Sequence, residues 1–509
     1  MVPLRPGIDD LVQFRDQGIE RSGVEQPFNR QEAVFKILID LVVRQTARHD
    51  MYPRSGGTRL GPVKSIDGTK RYDYTLQMSM TWALTGIRTD ASLCNRFRRF
   101  TMAFDLVLSG ATIIDPSQQK NGKGDVGIRN GKIAAVSDRI EAGASTTIDV
   151  SGKYLTPGWI DLHAHVYAGA TTFGIKADAL CLATGVTTIV DAGSPGWTNL
   201  RGFLEFIVEP SRTEVLTFVH ISSIGLLNSM RGEMEDIKNA DPERTARVIS
   251  MWPRHCVGVK VRQGAFQVGS HGVEPLRRAV EAAEMADTRV MVHIDKGVAL
   301  PDILELLRPG DVVTHCYQGK GDHILGDDDR VIPEVYEARE RGVFFDLGHG
   351  AGSFHYGIAK RAVELGFLSD VISTDLHVYS LRSPVYSLPE TASKLLNMGL
   401  DFEEIVRQTT SNPAGVLNRS DDIGTLKEGS VADIAVFDLE EGRFTFTDAH
   451  GRQESGPSMI TPHLTVRAGQ VYYPDDVRDE VAETERRAEE MVGITGVPYG
   501  TIRDIKKVR

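Results

Sequence analysis

Two histidines, His163 and His165, stand one residue apart in "PGWIDLHAH", and comparable residues recur further along the chain. They are Lys260 in "VGVKVR", His293 in "VMVHI", His315 in "VVTHC" and Asp375 in "VISTD". Each lies in or just after a short apolar, β-branched run. Neutral imidazole and carboxylate are common ligands of a divalent cation such as zinc. Alternate residues of a strand share a face, so His163 and His165 are expected to point the same way. A lone histidine in such a run is most simply a hydrogen-bonded core group. Four histidines and an aspartate at strand ends form a metal centre, provided the fold gathers those ends.

Lys260 is the odd member, because its neighbours Val257, Val259 and Val261 read as a buried strand. Lysine is rarely buried without a partner, and an ammonium has only donors, so it cannot ligate a metal. Burial beside cations lowers its pKa and makes the neutral amine accessible. That amine can take up carbon dioxide as a carbamate, an anion whose two oxygens can bridge two metals. The plainer alternative is an ion pair with a carboxylate such as Asp375.

The elements that must position these residues follow a rhythm that starts at Gly158. Eight apolar runs read as strands: "GWIDLHAH", "TTIVDAGS", "EVLTFVHIS", "VGVKVR", "RVMVHI", "DVVTHCY", "VFFDLGHG" and "DVISTDL". Helical stretches such as "VEPLRRAVEAAEMA", "PDILELLR" and "SFHYGIAKRAVELG" lie between them. β-Branched strands alternating with helices indicate a parallel sheet. Eight such units predict an α/β fold, a closed (β/α)8 TIM barrel, whose chemistry sits at the C-terminal ends of its strands. All six residues fall on that rim.

The flanks are β. "FDLVLSGATIID" reads as two short strands about a Ser-Gly turn, and "GDVGIRNGKIAAVS" as a hairpin closed by Asn130-Gly131. Gly122, Gly124 and Gly127 match G-x-G-x-x-G, but a strand and a tight turn follow where a dinucleotide site needs a helix, so that reading is rejected. "SVADIAVFDLEEGRFTF" and "HLTVRAGQVYY" are expected to pair with the 104–156 strands in one small β domain. The expected divisions are an N-terminal extension (1–101), the first half of the β domain (102–156), the barrel (157–411), the second half of the β domain (412–474) and a charged C-terminal helix (475–509). The extension carries 16 Lys/Arg against 11 Asp/Glu, a net of +5, which leaves −16 on the remainder. It shows little periodicity apart from one amphipathic stretch, and Met102 is read as the true start.

The bulk numbers narrow the partners. The net charge of −11 disfavours nucleic acid and anionic membrane. Cys94, Cys181, Cys256 and Cys316 are far apart, which disfavours a disulfide framework or a cysteine zinc site. The first residues lack the apolar core of a signal peptide, so a reducing, cytoplasmic setting is expected. The oligomeric state stays open, a homo-oligomer included.

The set H-x-H, Lys, His, His, Asp on successive strands resembles the amidohydrolase superfamily. "PGWIDLHAH" is similar to its strand-one signature and "STD" to its strand-eight aspartate. "GVKVR", "THCYQG" and "DLGHGAGSF" together resemble the deacetylase-type metallohydrolases, often loosely named dihydroorotases. The resemblance spans roughly Met102 to Tyr473 and implies a urease-like β domain beside the barrel and two divalent ions, zinc first. It implies that His163, His165 and Asp375 hold one ion and His293 and His315 the other, with a carbamylated Lys260 and a hydroxide bridging them. Asp375 would also be catalytic, moving a proton from the attacking water to the leaving group. The small-molecule substrate would be an N-acyl or O-acyl compound, such as an acylated amino or hydroxy acid. Dihydroorotases usually carry an arginine two residues after H-x-H. Here that residue is Tyr167, which speaks against dihydroorotate. Candidate substrate contacts are Tyr317, His349, His377 and Arg231, although Arg231 reads equally well as a solvated loop cation. Cys316, next to a ligand on its strand, reads as packing. The runner-up is a cyclic-amide hydrolase of the hydantoinase or dihydroorotase kind, and a non-catalytic barrel scaffold ranks below it.

Overall fold

The computed structural model describes residues 103–321 and 323–498. The expected N-terminal extension and the start at Met102 lie outside the described residues.

Two sheets organise the chain. The first joins β1 (Phe104–Asp115), β2 (Lys120–Arg129), β3 (Lys132–Ser137), β4 (Ala144–Asp149) and β5 (Tyr154–Pro157) to β13 (Ile434–Thr447), β14 (Gln453–Arg467) and β15 (Gln470–Tyr472). Its order is β15-β14-β13-β5-β1-β2-β3, with β4 beside β1. The join between the two flanks is the antiparallel pairing of β13 with β5, Ile434 opposite Pro157 and Val436 opposite Leu155. Leu108, Ile113, Val126, Leu155, Val436 and Leu464 form its apolar core. Asn130 and Gly131 turn β2 into β3 with φ of 53° and 71°, the doubly positive geometry of a type I′ turn. One expectation is corrected here. "FDLVLSGATIID" is a single strand, because a bulge between Leu108 and Ala111 absorbs the Ser-Gly pair without breaking the pairing with β2.

The second sheet is wholly parallel, in the order β12-β11-β10-β9-β8-β7-β6. Its strands are β6 (Trp159–Ala164), β7 (Val186–Gly196), β8 (Glu214–His220), β9 (Cys256–Gln263), β10 (Arg289–Ile294), β11 (Val312–Thr314) and β12 (Phe344–Asp346). One face packs against the connecting helices through Ile189, Val215, Val259, Val292 and Val313. The helix Glu274–Met285 is typical, turning Leu276, Ala279 and Ala283 inward at helical spacing. The other face gathers Val190, Leu216, Phe218, Met291 and Val312 into a separate apolar layer. Period-two alternation then puts Lys260, Arg262, His220 and His293 on that same face, nearer the C-terminal ends, with Lys260 in register with Met291 and His220.

The expected eighth strand, "DVISTDL", makes two isolated parallel bridges instead of a ladder, Val371 to Asp346 of β12 and Leu376 to Ala164 of β6. The segment thus touches both edge strands of the sheet. Backbone bonds run to both sides, the Leu347 amide to the Val371 carbonyl and the His165 amide to the Leu376 carbonyl, each at 2.9 Å, and side chains add to them. The Thr374 amide and hydroxyl donate to the buried Asp161 carboxylate at 3.0 and 2.5 Å. The charged C-terminal stretch forms the helix Arg478–Thr495, pinned by Arg382 to Glu485 and Glu489. Among the described residues no helix is long and apolar enough to cross a membrane.

Candidate metal centre

All six predicted donors meet at the C-terminal end of the parallel sheet. β6 ends between His163 and His165, β9 carries Lys260 and β10 carries His293. His315 directly follows β11, and Asp375 lies in the bridging segment. Both take positive φ, 70° and 47°, a region that His and Asp tolerate better than most residues and that is typical of functional turns. His163 Nε2 and His165 Nε2 lie 3.3 and 3.1 Å from Asp375 Oδ1. His315 Nε2 is 4.0 Å from Asp375 Oδ2, and Lys260 Nζ is 3.4 Å from His163 Nε2. The His293 and His315 rings stand nearly perpendicular, with centroids 4.4 Å apart. Donor atoms of His163, His315 and Asp375 all fall within 4.8 Å of one another.

The hydrogen bonds behind the imidazoles fix which nitrogen faces the centre. His315 Nδ1 lies 2.6 Å from the Gly348 carbonyl, an acceptor, so Nδ1 carries the proton and Nε2 keeps its lone pair. The Thr314 hydroxyl donates to Asp346 Oδ2 at 2.7 Å. It must therefore accept from His163 Nδ1–H at 2.8 Å, and again Nε2 is free to ligate. His165 Nδ1 meets the Ser194 hydroxyl at 3.1 Å, which is itself bonded to the Asp191 carboxylate. Partners of this kind orient metal-binding histidines and raise their basicity. His293 Nε2 is buried without a hydrogen-bond partner, with Asp295 4.0 Å away. His315 Nε2 is buried without any hydrogen-bond partner, as expected of a nitrogen whose partner is a cation. The donor set therefore fits divalent metal.

The charges agree with that fit. Burial holds the His163 and His315 imidazoles well below their ordinary pKa, aided by the Lys260 charge and by neighbouring imidazoles. Burial alone would raise the Asp375 carboxyl, but His163, His165 and His377 hold it well below the usual carboxylate range. Burial pulls the Lys260 ammonium down to about 7, although Asp375 and Asp346 oppose the shift. At neutral pH the site thus offers the neutral imidazoles of His163 and His315, an ionised carboxylate and an accessible amine.

The other candidates are placed differently. His377 is buried beside His165, with ring centroids 6.2 Å apart. His349 Nδ1 donates to the Gly350 carbonyl, its Nε2 accepts from Lys394 Nζ, 2.8 Å away, and its ring stacks on Phe354. Tyr317 is corrected as a substrate contact, because its hydroxyl donates to the Phe367 carbonyl and accepts from the Ser369 amide inside the apolar cluster. Arg231 is exposed on the loop after β8. Cys316 is buried in the same apolar cluster as Tyr317. Tyr167 turns its hydroxyl to the Asn199 carbonyl and its ring to Phe203.

Sequence reasoning missed the support. Gly350, at φ +56°, passes so close to Asp375 that a Cβ would lie 2.4 Å from Oδ2, and a Cβ on Gly193 would lie 2.5 Å from Lys260 Cβ. Lys394 is fully buried and donates to the carbonyls of Pro384 and Thr447 as well as meeting His349. The glycines of "DAGS" and "HGAG" were the available signal. Nothing in the sequence marked Lys394.

Comparison with known proteins agrees with this geometry. The amidohydrolase family profile matches residues 390–473. A deacetylase of Agrobacterium fabrum is 41% identical over 340 residues, 66% of this chain and 83% of the relative. A solved structure described as an adenine deaminase aligns with a TM-score of 0.69 at 31% identity, covering 73% of this chain and all of that one. Another, described as a dihydroorotase, aligns with a TM-score of 0.68 at 36% identity, covering 72% and 97%. A parallel sheet bearing histidine and carboxylate donors on its strand ends defines a metal-dependent amidohydrolase, and the chain belongs to the amidohydrolase superfamily. Within it the chain falls in the deacetylase-type branch, as a hydrolase acting on carbon–nitrogen bonds.

Proposed function

We propose that the protein is a binuclear-metal deacetylase that hydrolyses a small N-acyl or O-acyl substrate at the mouth of a closed (β/α)8 barrel. The observation that carries this reading is the convergence of His163, His165, Lys260, His293, His315 and Asp375 on one strand-end face. The two bridges of the 371–376 segment support barrel closure, and the deacetylase relatives support the acyl substrate. His163, His165 and Asp375 would hold one ion, and His293 and His315 the other. Lys260, with its amine accessible near neutral pH, would bind carbon dioxide and lose a proton to become a carbamate, adding an anionic ligand for the ions. Bound divalent ions, zinc first, would supply Lewis acidity, making water acidic and polarising the acyl carbonyl.

The protein's own part is positioning and proton transfer. Asp375 is ionised and touches both His163 and His165, so it is placed to take the proton of the attacking water and hand it to the leaving nitrogen or oxygen. The hydrogen bonds to Gly348, Thr314 and Ser194 hold the imidazoles in orientation. A cyclic-amide hydrolase is the second reading, favoured by the likeness to a structure described as a dihydroorotase. The Tyr167 side chain, turned to Asn199, offers no carboxylate grip and weakens it. The test is metal analysis, crystallographic density at Lys260 and a panel of acetylated acids against hydantoins and dihydroorotate. Metal-free protein that acts on none of them would refute the hydrolase reading.

A further inference from the structure

The mouth of the barrel holds one cation that the metal site does not use. Arg262 lies two residues beyond Lys260 on β9, hence on the same inner face, and stands in parallel register with His293 of β10. Its charge is felt by Lys260, His293 and His220 and, from the bridging segment, by His377. A guanidinium there faces the centre from a neighbouring strand. Its side chain is only 12% exposed, so it lines the mouth and is not an open-surface residue.

What holds it is equally specific. Glu233, wholly buried, accepts from Arg262 Nε at 2.8 Å and from Nη2 at 3.3 Å. Glu233 comes from the loop after β8, the loop that also carries Arg231. His220 Nδ1 accepts from the Ser222 amide, so its Nε2 carries the proton and faces Glu233 Oε1 at 3.5 Å. The Glu233 backbone carbonyl is bonded to the Ser222 hydroxyl and Asn239. The carboxylate therefore occupies the Nε–Nη2 edge of the guanidinium and fixes its plane. Among the described residues Nη1 has no hydrogen-bond partner, so the Nη1–Nη2 edge, a ready fork for a second carboxylate, is left for a ligand.

We propose that Arg262, anchored by Glu233, receives the carboxylate of the acylated substrate and so selects N-acyl α-amino acids and O-acyl α-hydroxy acids over neutral amides and esters. This rests on the hydrolase reading above. In such molecules the carboxylate is only a heteroatom and one carbon removed from the acyl carbon. That spacing suits an anion held on β9 while the acyl group lies over the centre reached by His293 of β10. Glu233 balances the net charge of Arg262, so selection comes from directed N–H donors and falls on binding.

The experiment uses metal-loaded full-length enzyme and compares N-acetyl amino acids with their carboxamides. The ratio of kcat/KM for acid over carboxamide is expected to favour the acid in the wild type and to collapse about 100-fold in Arg262→Met. KM should carry most of the change, and Arg262→Lys should recover only part of it. Because Arg262→Met leaves Glu233 without its partner, the double variant Arg262→Met/Glu233→Gln is measured beside it and should show the same collapse. An equal fall on both substrate series, or a wild type that prefers carboxamides, overturns the proposal. If the wild type hydrolyses neither series, the hydrolase reading fails, and calorimetric titration with N-acetyl amino acid anions decides Arg262 alone. Binding that disappears in the double variant upholds the anion site. Binding that persists there, or is absent from the wild type, overturns it.

Discussion

Thr314→Val tests whether the hydrogen bonds behind the histidines matter as much as the ligands themselves. The Thr314 hydroxyl accepts from His163 Nδ1 at 2.8 Å and donates to Asp346 Oδ2 at 2.7 Å. Valine keeps the volume, so no cavity opens and the loss is polar. It removes a hydrogen bond to a buried carboxylate, a loss of about 1.5–3 kcal/mol, and frees His163 to adopt the tautomer with Nε2 protonated. A direct substitute is not ready, because His163 Nδ1 lies 3.6 Å from Asp346 Oδ2. Losing such a partner typically weakens metal binding by about 10- to 100-fold, or about 1.4–2.8 kcal/mol. Zinc competition with a chromophoric chelator on apo protein would read this directly. Thr314→Ser, which keeps the hydroxyl, should stay near the wild type. A Thr314→Val protein within about threefold of wild-type affinity would refute the assigned relay.

Asp375→Asn should keep some of its metal yet lose about 10³-fold or more in kcat, and substantial turnover at full metal loading would contradict the proton-transfer role. Gly350→Ala should lose metal and about 1–3 kcal/mol of stability, because φ of +56° is strained for alanine and its Cβ would strike Asp375. Unchanged metal content and melting temperature would show that the turn yields. Burial alone would raise the Glu233 carboxyl, but Arg262 and His220 bring it down from 4.5 to about 2. Its folded pKa is depressed, so its stabilisation is present above pH 4.5 and is lost as pH falls towards 2, by about 3 kcal/mol. Denaturant unfolding of apo protein should show this loss in the wild type but not in Glu233→Gln, and parallel profiles would count against it.

The donor residues were legible because chemistry and periodicity coincide in them. His163, His165, Lys260, His293, His315 and Asp375 each interrupt or end an apolar run where a parallel strand meets its loop, so residue type and strand position pointed to one rim. The Asn130-Gly131 hairpin was legible for a similar local reason, since only a few residue pairs accept two positive φ values. Other features depend on contacts distant in sequence. The details of how "DVISTDL" pairs were not legible, because Thr374 donates to Asp161 and the Asp375 amide to the His163 carbonyl, both more than two hundred positions earlier. Regular alternation did not decide the H-x-H pair either, because the register of β6 against β7 shifts between Asp161 and Ala164. Both imidazoles reach Asp375 all the same.

By itself the sequence determined which side chains can bind a cation and that they stand at strand ends, because ligand chemistry and strand period are local properties. Only the tertiary structure decided which nitrogen His163 and His315 present, that Tyr317 is sealed in packing, and that Arg262 of β9 is held by the buried Glu233 while Arg231 lies exposed. Those outcomes follow from which buried acceptors lie within hydrogen-bond reach, and that is set by the approach of segments far apart in the chain.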